Sequence, residues 1–201
     1  MNEPTLYILA GPNGAGKTTY AFRHLETVTG TVTFVNLDEI ARGYSPLRPS
    51  LGQQYAARAA LSRIRSLIRE RASFSIETTL SGKTHLRAIA AAKAAGFRIS
   101  LFYFAVPGAE TCLARIARRV AEGGHDVPAA DVRRRFTRSL ANLPLYAAAC
   151  DVWRVFDAAG HAPRVAAEGH GGCVASLGDV AGMPRALGAW LRAMPACREA
   201  G

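Results

Sequence analysis

The stretch Gly11-Pro12-Asn13-Gly14-Ala15-Gly16-Lys17-Thr18-Thr19 concentrates residue types that bind phosphate. Gly11, Gly16, Lys17 and Thr18 meet the spacing G-x-x-x-x-G-K-[ST] of a phosphate-binding loop, with the apolar run Leu6 to Ala10 before it and a helical pattern after it. The glycines open backbone angles closed to other residues, so successive N–H groups can converge on phosphate oxygens. The following helix adds the positive end of its dipole. Lys17 is then expected to reach the β and γ phosphates of a purine nucleoside triphosphate, and Thr18 to place its hydroxyl on Mg²⁺.

Ligands of open α/β sheets bind beyond the carboxyl ends of the strands, so polar residues that follow apolar runs are the next candidates. Asp38, in Asn36-Leu37-Asp38-Glu39, reads either as the base for an attacking hydroxyl or as the cap of a short helix over Glu39 to Arg42. Glu77, in Ser75-Ile76-Glu77-Thr78-Thr79, suits a polyol or sugar hydroxyl together with Thr79, or else Mg²⁺ held through water. Between Arg115 and Arg138 stand seven arginines, of which two or three are expected to face the phosphates of a closing lid and the rest to form a solvated helix face.

The elements that must position these residues are legible as apolar runs near 5–10, 31–36, 73–77, 98–106 and 152–156. Helical patterns lie at 16–26, 51–71, 84–95, 109–121 and 129–148. Strands with little alternation, separated by helices, predict an α/β fold of three layers, a mainly parallel sheet with helices on both faces. One domain over 1–157 is expected. Residues 158–201, with eight of the 19 glycines, predict a last edge strand at 164–169, a helix near 184–194 and a loosely packed tail on the same domain.

At 201 residues, 49% hydrophobic and 20% charged, the chain is globular in composition. No apolar run reaches the roughly 18 residues of a membrane span and no signal pattern opens the chain, so a cytoplasmic protein with no membrane partner is expected. The net charge of +10 is almost wholly arginine, since lysine occurs only at Lys17, Lys83 and Lys93. That bias favours polyanionic ligands, whether nucleotides, sugar nucleotides or nucleic acid. Cys112, Cys150, Cys173 and Cys197 form no C-x-x-C pair and read as free, mostly buried thiols. His161, His170 and Cys173 match no zinc spacing, and no structural metal is expected.

Taken in order, "GPNGAGKTT", "NLDEIA", "FSIETTLSG", "RIARRVAEGGHDVP" and "RRRFTRSLANLP" resemble the short bacterial members of the zeta toxin family, over roughly residues 5 to 157. The resemblance implies an ATP- and Mg²⁺-dependent kinase with a P-loop kinase-like fold, acting on the 3'-hydroxyl of the amino sugar in UDP-N-acetylglucosamine and restrained by an antitoxin protein. It further implies Asp38 as the catalytic aspartate, Glu77 and Thr79 as substrate-binding residues, and Arg119 with Arg115 or Arg135 as phosphate-binding arginines. Ser81 stands where the larger toxins carry an arginine, which leaves the identity of the sugar nucleotide open. Two further readings stand beside it. One is a kinase for another metabolite or nucleic-acid hydroxyl; the other is a nucleotide-dependent module that binds RNA or protein.

Overall fold

The computed structural model describes residues 3–124 and 126–197; residues 198–201 of the expected tail lie outside them. Five strands run parallel: β1 (Thr5–Ala10), β2 (Phe34–Val35), β3 (Phe74–Thr78), β4 (Arg98–Ala105) and β5 (Val152–Asp157). Two antiparallel strands, β6 (Arg164–His170) and β7 (Cys173–Leu177), extend the sheet to the order β2-β3-β1-β4-β5-β6-β7. The connecting helices are α1 (Lys17–Thr29), α2 (Leu37–Tyr44), α3 (Gln53–Arg69), α4 (Thr84–Ala94), α5 (Ala109–Ala121) and α6 (Ala129–Ala149), and α7 (Arg185–Ala193) follows β7.

Strand alternation divides the apolar residues between two cores. Leu6, Ile8 and Ala10 of β1 join Ile99, Leu101 and Tyr103 of β4 in a cluster that includes residues of α3, α4, α6 and α7. Leu9, Phe102 and Phe104 point the other way, against Ala21 and Leu25 of α1 and Cys112 and Ile116 of α5. Each central strand is therefore apolar on both faces, because helices cover both faces. This is the three-layer, P-loop kinase-like α/β fold expected from the sequence.

Three local expectations are corrected. The second strand is two residues long rather than six, since the Thr31 hydroxyl bonds to the Ser73 carbonyl and accepts from Thr33 N–H, an alternative to ladder pairing. The carboxyl-terminal region is not a loose tail. The strand at 164–170 is flanked on both sides, β7 forms the edge, and Leu187 and Leu191 of α7 are buried in the larger core. Nor are all four thiols free: Cys173 and Cys197 form a disulfide, while Cys112 and Cys150 are free and buried. No described helix is long and apolar enough to cross a membrane.

Candidate active site

β1 delivers the chain into the phosphate loop under tight steric control. Gly11 has φ +137°, and a Cβ there would come within 2.5 Å of the Phe104 carbonyl oxygen of β4. Gly14 has φ +75°, and its Cβ would lie 2.9 Å from the Cys112 carbonyl oxygen. Only glycine lets the loop lie this close to the strand and helix beneath it. Gly16, left-handed at φ 87°, caps α1 without any side-chain hydrogen bond. The first-turn N–H groups thus gain no side-chain acceptor, as suits a helix that ends on an anion.

Lys17 and Thr18 open α1 and face the end of β3, which the parallel register Leu9↔Glu77 brings alongside. The Lys17 ammonium, 5% exposed, donates to the Pro12 carbonyl at 3.0 Å and lies 3.5 Å from Glu77 Oε1. Thr18 Oγ1 donates to Glu77 Oε2 at 2.8 Å, and Asn36 Nδ2 donates to the same oxygen at 2.8 Å. Beneath the loop, burial pushes the Cys112 thiol up to about 11, against the opposing pull of Lys17 and Arg115. That thiol is neutral and inert at physiological pH.

Asp38 sits on the first turn of α2 but is not its cap. Asn36 caps the helix, its Oδ1 accepting from the N–H groups of Asp38 at 2.8 Å and Glu39 at 3.3 Å. The capping alternative for Asp38 is thereby overturned, and the helix is longer than Glu39 to Arg42. Its exposed carboxylate has no hydrogen-bond or ion-pair partner among the described residues, and it stands at the carboxyl end of the sheet, as does Glu77.

Thr79 and Ser81 share a hydrogen bond at 2.9 Å in the loop after β3. That loop is held from α6: Asn142 donates to the Leu80 carbonyl at 2.7 Å and Tyr146 to the Gly82 carbonyl at 2.8 Å. Neither anchor is legible in the sequence, because Asn142 and Tyr146 lie within a helical pattern that carries no signal of what its polar side chains meet. Asn36 was legible in principle, since asparagine ahead of a helix is a favoured cap.

The three lid arginines differ in what they touch. Arg115 donates to the carbonyls of Gly14 at 3.4 Å, Ala158 at 2.8 Å and Ala159 at 2.7 Å, tying the phosphate loop to the connection after β5. Arg135 donates to Asn13 Oδ1 at 3.4 Å, so α6 also reaches the loop. Arg119 lies on the exposed last turn of α5, one turn beyond Arg115. No cluster of three or more His, Cys, Asp or Glu that could hold a metal ion occurs among the described residues.

Residues 6–142 match the family model AAA_33, an AAA domain. The chain belongs to the AAA_33 family. This AAA_33 chain is 32% identical over 136 residues to an uncharacterized protein of Haemophilus influenzae, covering 68% of the chain and 94% of that protein. Among solved structures it resembles a chain of the AvrRxo1-ORF1:-ORF2 complex with ATP (TM-score 0.65, 20% identity, 86% of this chain). It spans 60% of the length of that chain. It also resembles a chain of the PezAT chromosomal toxin-antitoxin system of Streptococcus pneumoniae (TM-score 0.60, 18% identity, 79% of this chain and 69% of that one). At these identities the likeness is one of fold.

Proposed function

We propose that this AAA_33 protein is an ATP-dependent kinase that transfers the γ-phosphoryl group to a hydroxyl of a UDP-activated amino sugar. One observation carries the reading. Lys17, Thr18, Glu77 and Asn36 form a single bonded network at the phosphate loop, and the Asp38 carboxylate, without a hydrogen-bond or ion-pair partner among the described residues, stands two residues beyond Asn36. The first four supply what a triphosphate needs, and Asp38 supplies what an acceptor hydroxyl needs.

The loop N–H groups from Asn13 to Thr19, with that of Gly11, and the Lys17 ammonium bind and orient the β and γ phosphates. Thr18 Oγ1 and a Glu77 carboxylate oxygen are hard oxygen donors that fit Mg²⁺, which would neutralise charge on those phosphates when bound. Asp38 accepts the proton of the acceptor hydroxyl as its oxygen bonds to the γ phosphorus. The bond from that phosphorus to the bridging oxygen breaks, and its electron pair leaves with ADP. Arg135, through Asn13, and Arg119 are the lid groups proposed to meet charge on the transferring phosphoryl group. Arg115 holds the loop in shape through its carbonyls, which differs from the direct phosphate contact expected of it. Thr79 remains the proposed sugar-side contact, while Glu77, expected to share that role, is engaged on the phosphate side by Thr18, Asn36 and Lys17.

Resemblance to the zeta toxins supports the sugar nucleotide and an antitoxin protein as partner; the PezAT system, similar in fold, is itself a toxin-antitoxin pair. A second reading, transfer to another small-metabolite hydroxyl, draws support from Ser81, whose hydroxyl is spent on Thr79 where the larger toxins carry an arginine. The deciding experiment incubates the protein with ATP and Mg²⁺ and a panel of sugar nucleotides, small polyols and 5'-hydroxyl oligonucleotides, then reads substrate mass. Gain of one phosphoryl group on a UDP-amino sugar is the expected result. Gain on another member of the panel replaces the substrate, and hydrolysis of ATP alone overturns the kinase.

A further inference from the structure

Asn36 is 5% exposed and uses both ends of its side-chain amide. Oδ1 accepts from the N–H groups of Asp38 and Glu39, and Nδ2 donates to Glu77 Oε2 at 2.8 Å. Chemistry fixes this orientation: turned over, the amide would set its oxygen against a carboxylate and its NH₂ against two backbone donors. Glu77 Oε2 also accepts from Thr18 Oγ1. One amide therefore joins the turn that carries Asp38 to the carboxylate that holds the Thr18 hydroxyl.

Among the described residues, no other side-chain hydrogen bond joins that turn to the phosphate side. α2 is eight residues long, follows a two-residue strand at the sheet edge, and packs through the buried Ala41 and the partly buried Ile40, apolar contacts that fix where the helix lies more than where its first-turn carboxylate stands. A helix this short has no stability of its own. Its far end is held by Tyr44, stacked on Tyr55 of α3 with ring centroids 4.2 Å apart. Its near end is held by Ile40 against the larger core and by the Asn36 cap.

We propose that Asn36 is a positioning residue for phosphoryl transfer, holding the acceptor-side Asp38 in register with the Glu77–Thr18 pair on the phosphate side. This rests on the kinase reading above. The role is more than capping: serine and aspartate cap a helix about as well as asparagine, yet neither brings an amide donor to Glu77. A misplacement of about 1 Å in a reacting pair costs on the order of 10²-fold in rate.

The test compares Asn36→Ser, which keeps a cap and loses the donor, with Asn36→Ala, which loses both. Thermal midpoint, ATP affinity with and without Mg²⁺ by calorimetry, and kcat and KM for transfer to the panel acceptor are measured well below every midpoint. The expected result is a fall in kcat of about 10- to 100-fold in both variants, with ATP–Mg²⁺ affinity within about threefold of wild type and a lower midpoint in Ala than in Ser. Full kcat in the Ser variant reduces Asn36 to a cap and overturns the proposal. A parallel loss of ATP–Mg²⁺ affinity and kcat also overturns it, by assigning Asn36 to the nucleotide alone. Failure of the wild-type protein to bind ATP–Mg²⁺ overturns the kinase reading instead, and this inference with it.

Discussion

Asp38 offers the sharpest separation of catalysis from stability. Because Asn36 supplies the cap, replacing Asp38 by either Asn or Ala removes only an exposed carboxylate near the helix amino terminus. Such a charge contributes about 0.3–1 kcal/mol through the helix dipole, less in salt. For a chain of this size that is a shift of no more than about 4 °C in thermal midpoint. Loss of a general base costs about 10² to 10⁴ in rate, or roughly 3–5 kcal/mol in the barrier. The catalytic effect therefore exceeds the structural one severalfold, and Asn and Ala should behave alike. The assay follows acceptor mass over time at saturating ATP–Mg²⁺, with ATP affinity from calorimetry and midpoints from circular dichroism. Full transfer by Asp38→Asn would refute the assignment of the base. A large midpoint loss in Ala but not in Asn would refute the reasoning that Asn36 alone caps α2.

Gly14→Ala forces an L side chain into φ +75° with Cβ 2.9 Å from the Cys112 carbonyl. Relief of about 1–2 kcal/mol of strain by movement of the loop should weaken ATP binding about tenfold, and unchanged affinity in calorimetry would contradict that geometry. Glu77→Gln removes the carboxylate beside the buried Lys17 ammonium and should cost the metal-free protein about 1–3 kcal/mol in denaturant unfolding. An unaltered transition would mean the pair contributes nothing. Burial holds the His85 imidazole below its ordinary value, and its Nδ1 has no hydrogen-bond partner among the described residues. Below about pH 6.5 the unfolded chain gains a proton that the folded chain refuses, so stability falls as pH falls. His85→Gln should flatten that acid-side decline in midpoint; an identical pH profile would remove His85 as its source.

Much of the scaffold was readable because central parallel strands announce themselves. Runs such as Leu6 to Ala10 and Leu101 to Ala105 carry apolar or aromatic side chains at every position, as a sheet covered on both faces requires. The phosphate loop was readable for a different reason, since its spacing answers to ligand geometry rather than to packing. Propensity overextended β2, because Thr31 and Thr33 favour strands yet turn their local hydrogen bonds elsewhere. Asp38 and Asn36 are near-equal caps two residues apart, so sequence could not tell which held the helix. The arginines were recognisable as donors, but nothing in their type distinguishes a phosphate from the backbone carbonyls that Arg115 meets. Cys173 and Cys197 are separated by 24 residues without a motif, and only the return of the chain from α7 to β7 pairs them.

The packing of α7 has an optical consequence. Both tryptophans of the chain lie there: Trp153 of β5, buried and donating to the Gly171 carbonyl, and Trp190 of α7, with ring centroids 5.8 Å apart. Neither is among the residues that form the phosphate-loop network. Intrinsic tryptophan emission thus reports the docking of the carboxyl-terminal helix, including its response to cleavage of the Cys173–Cys197 bond. A mutation in the nucleotide site that leaves this emission unchanged has left the far end of the molecule assembled, and one fluorescence trace can then distinguish an inactive protein from a disassembled one.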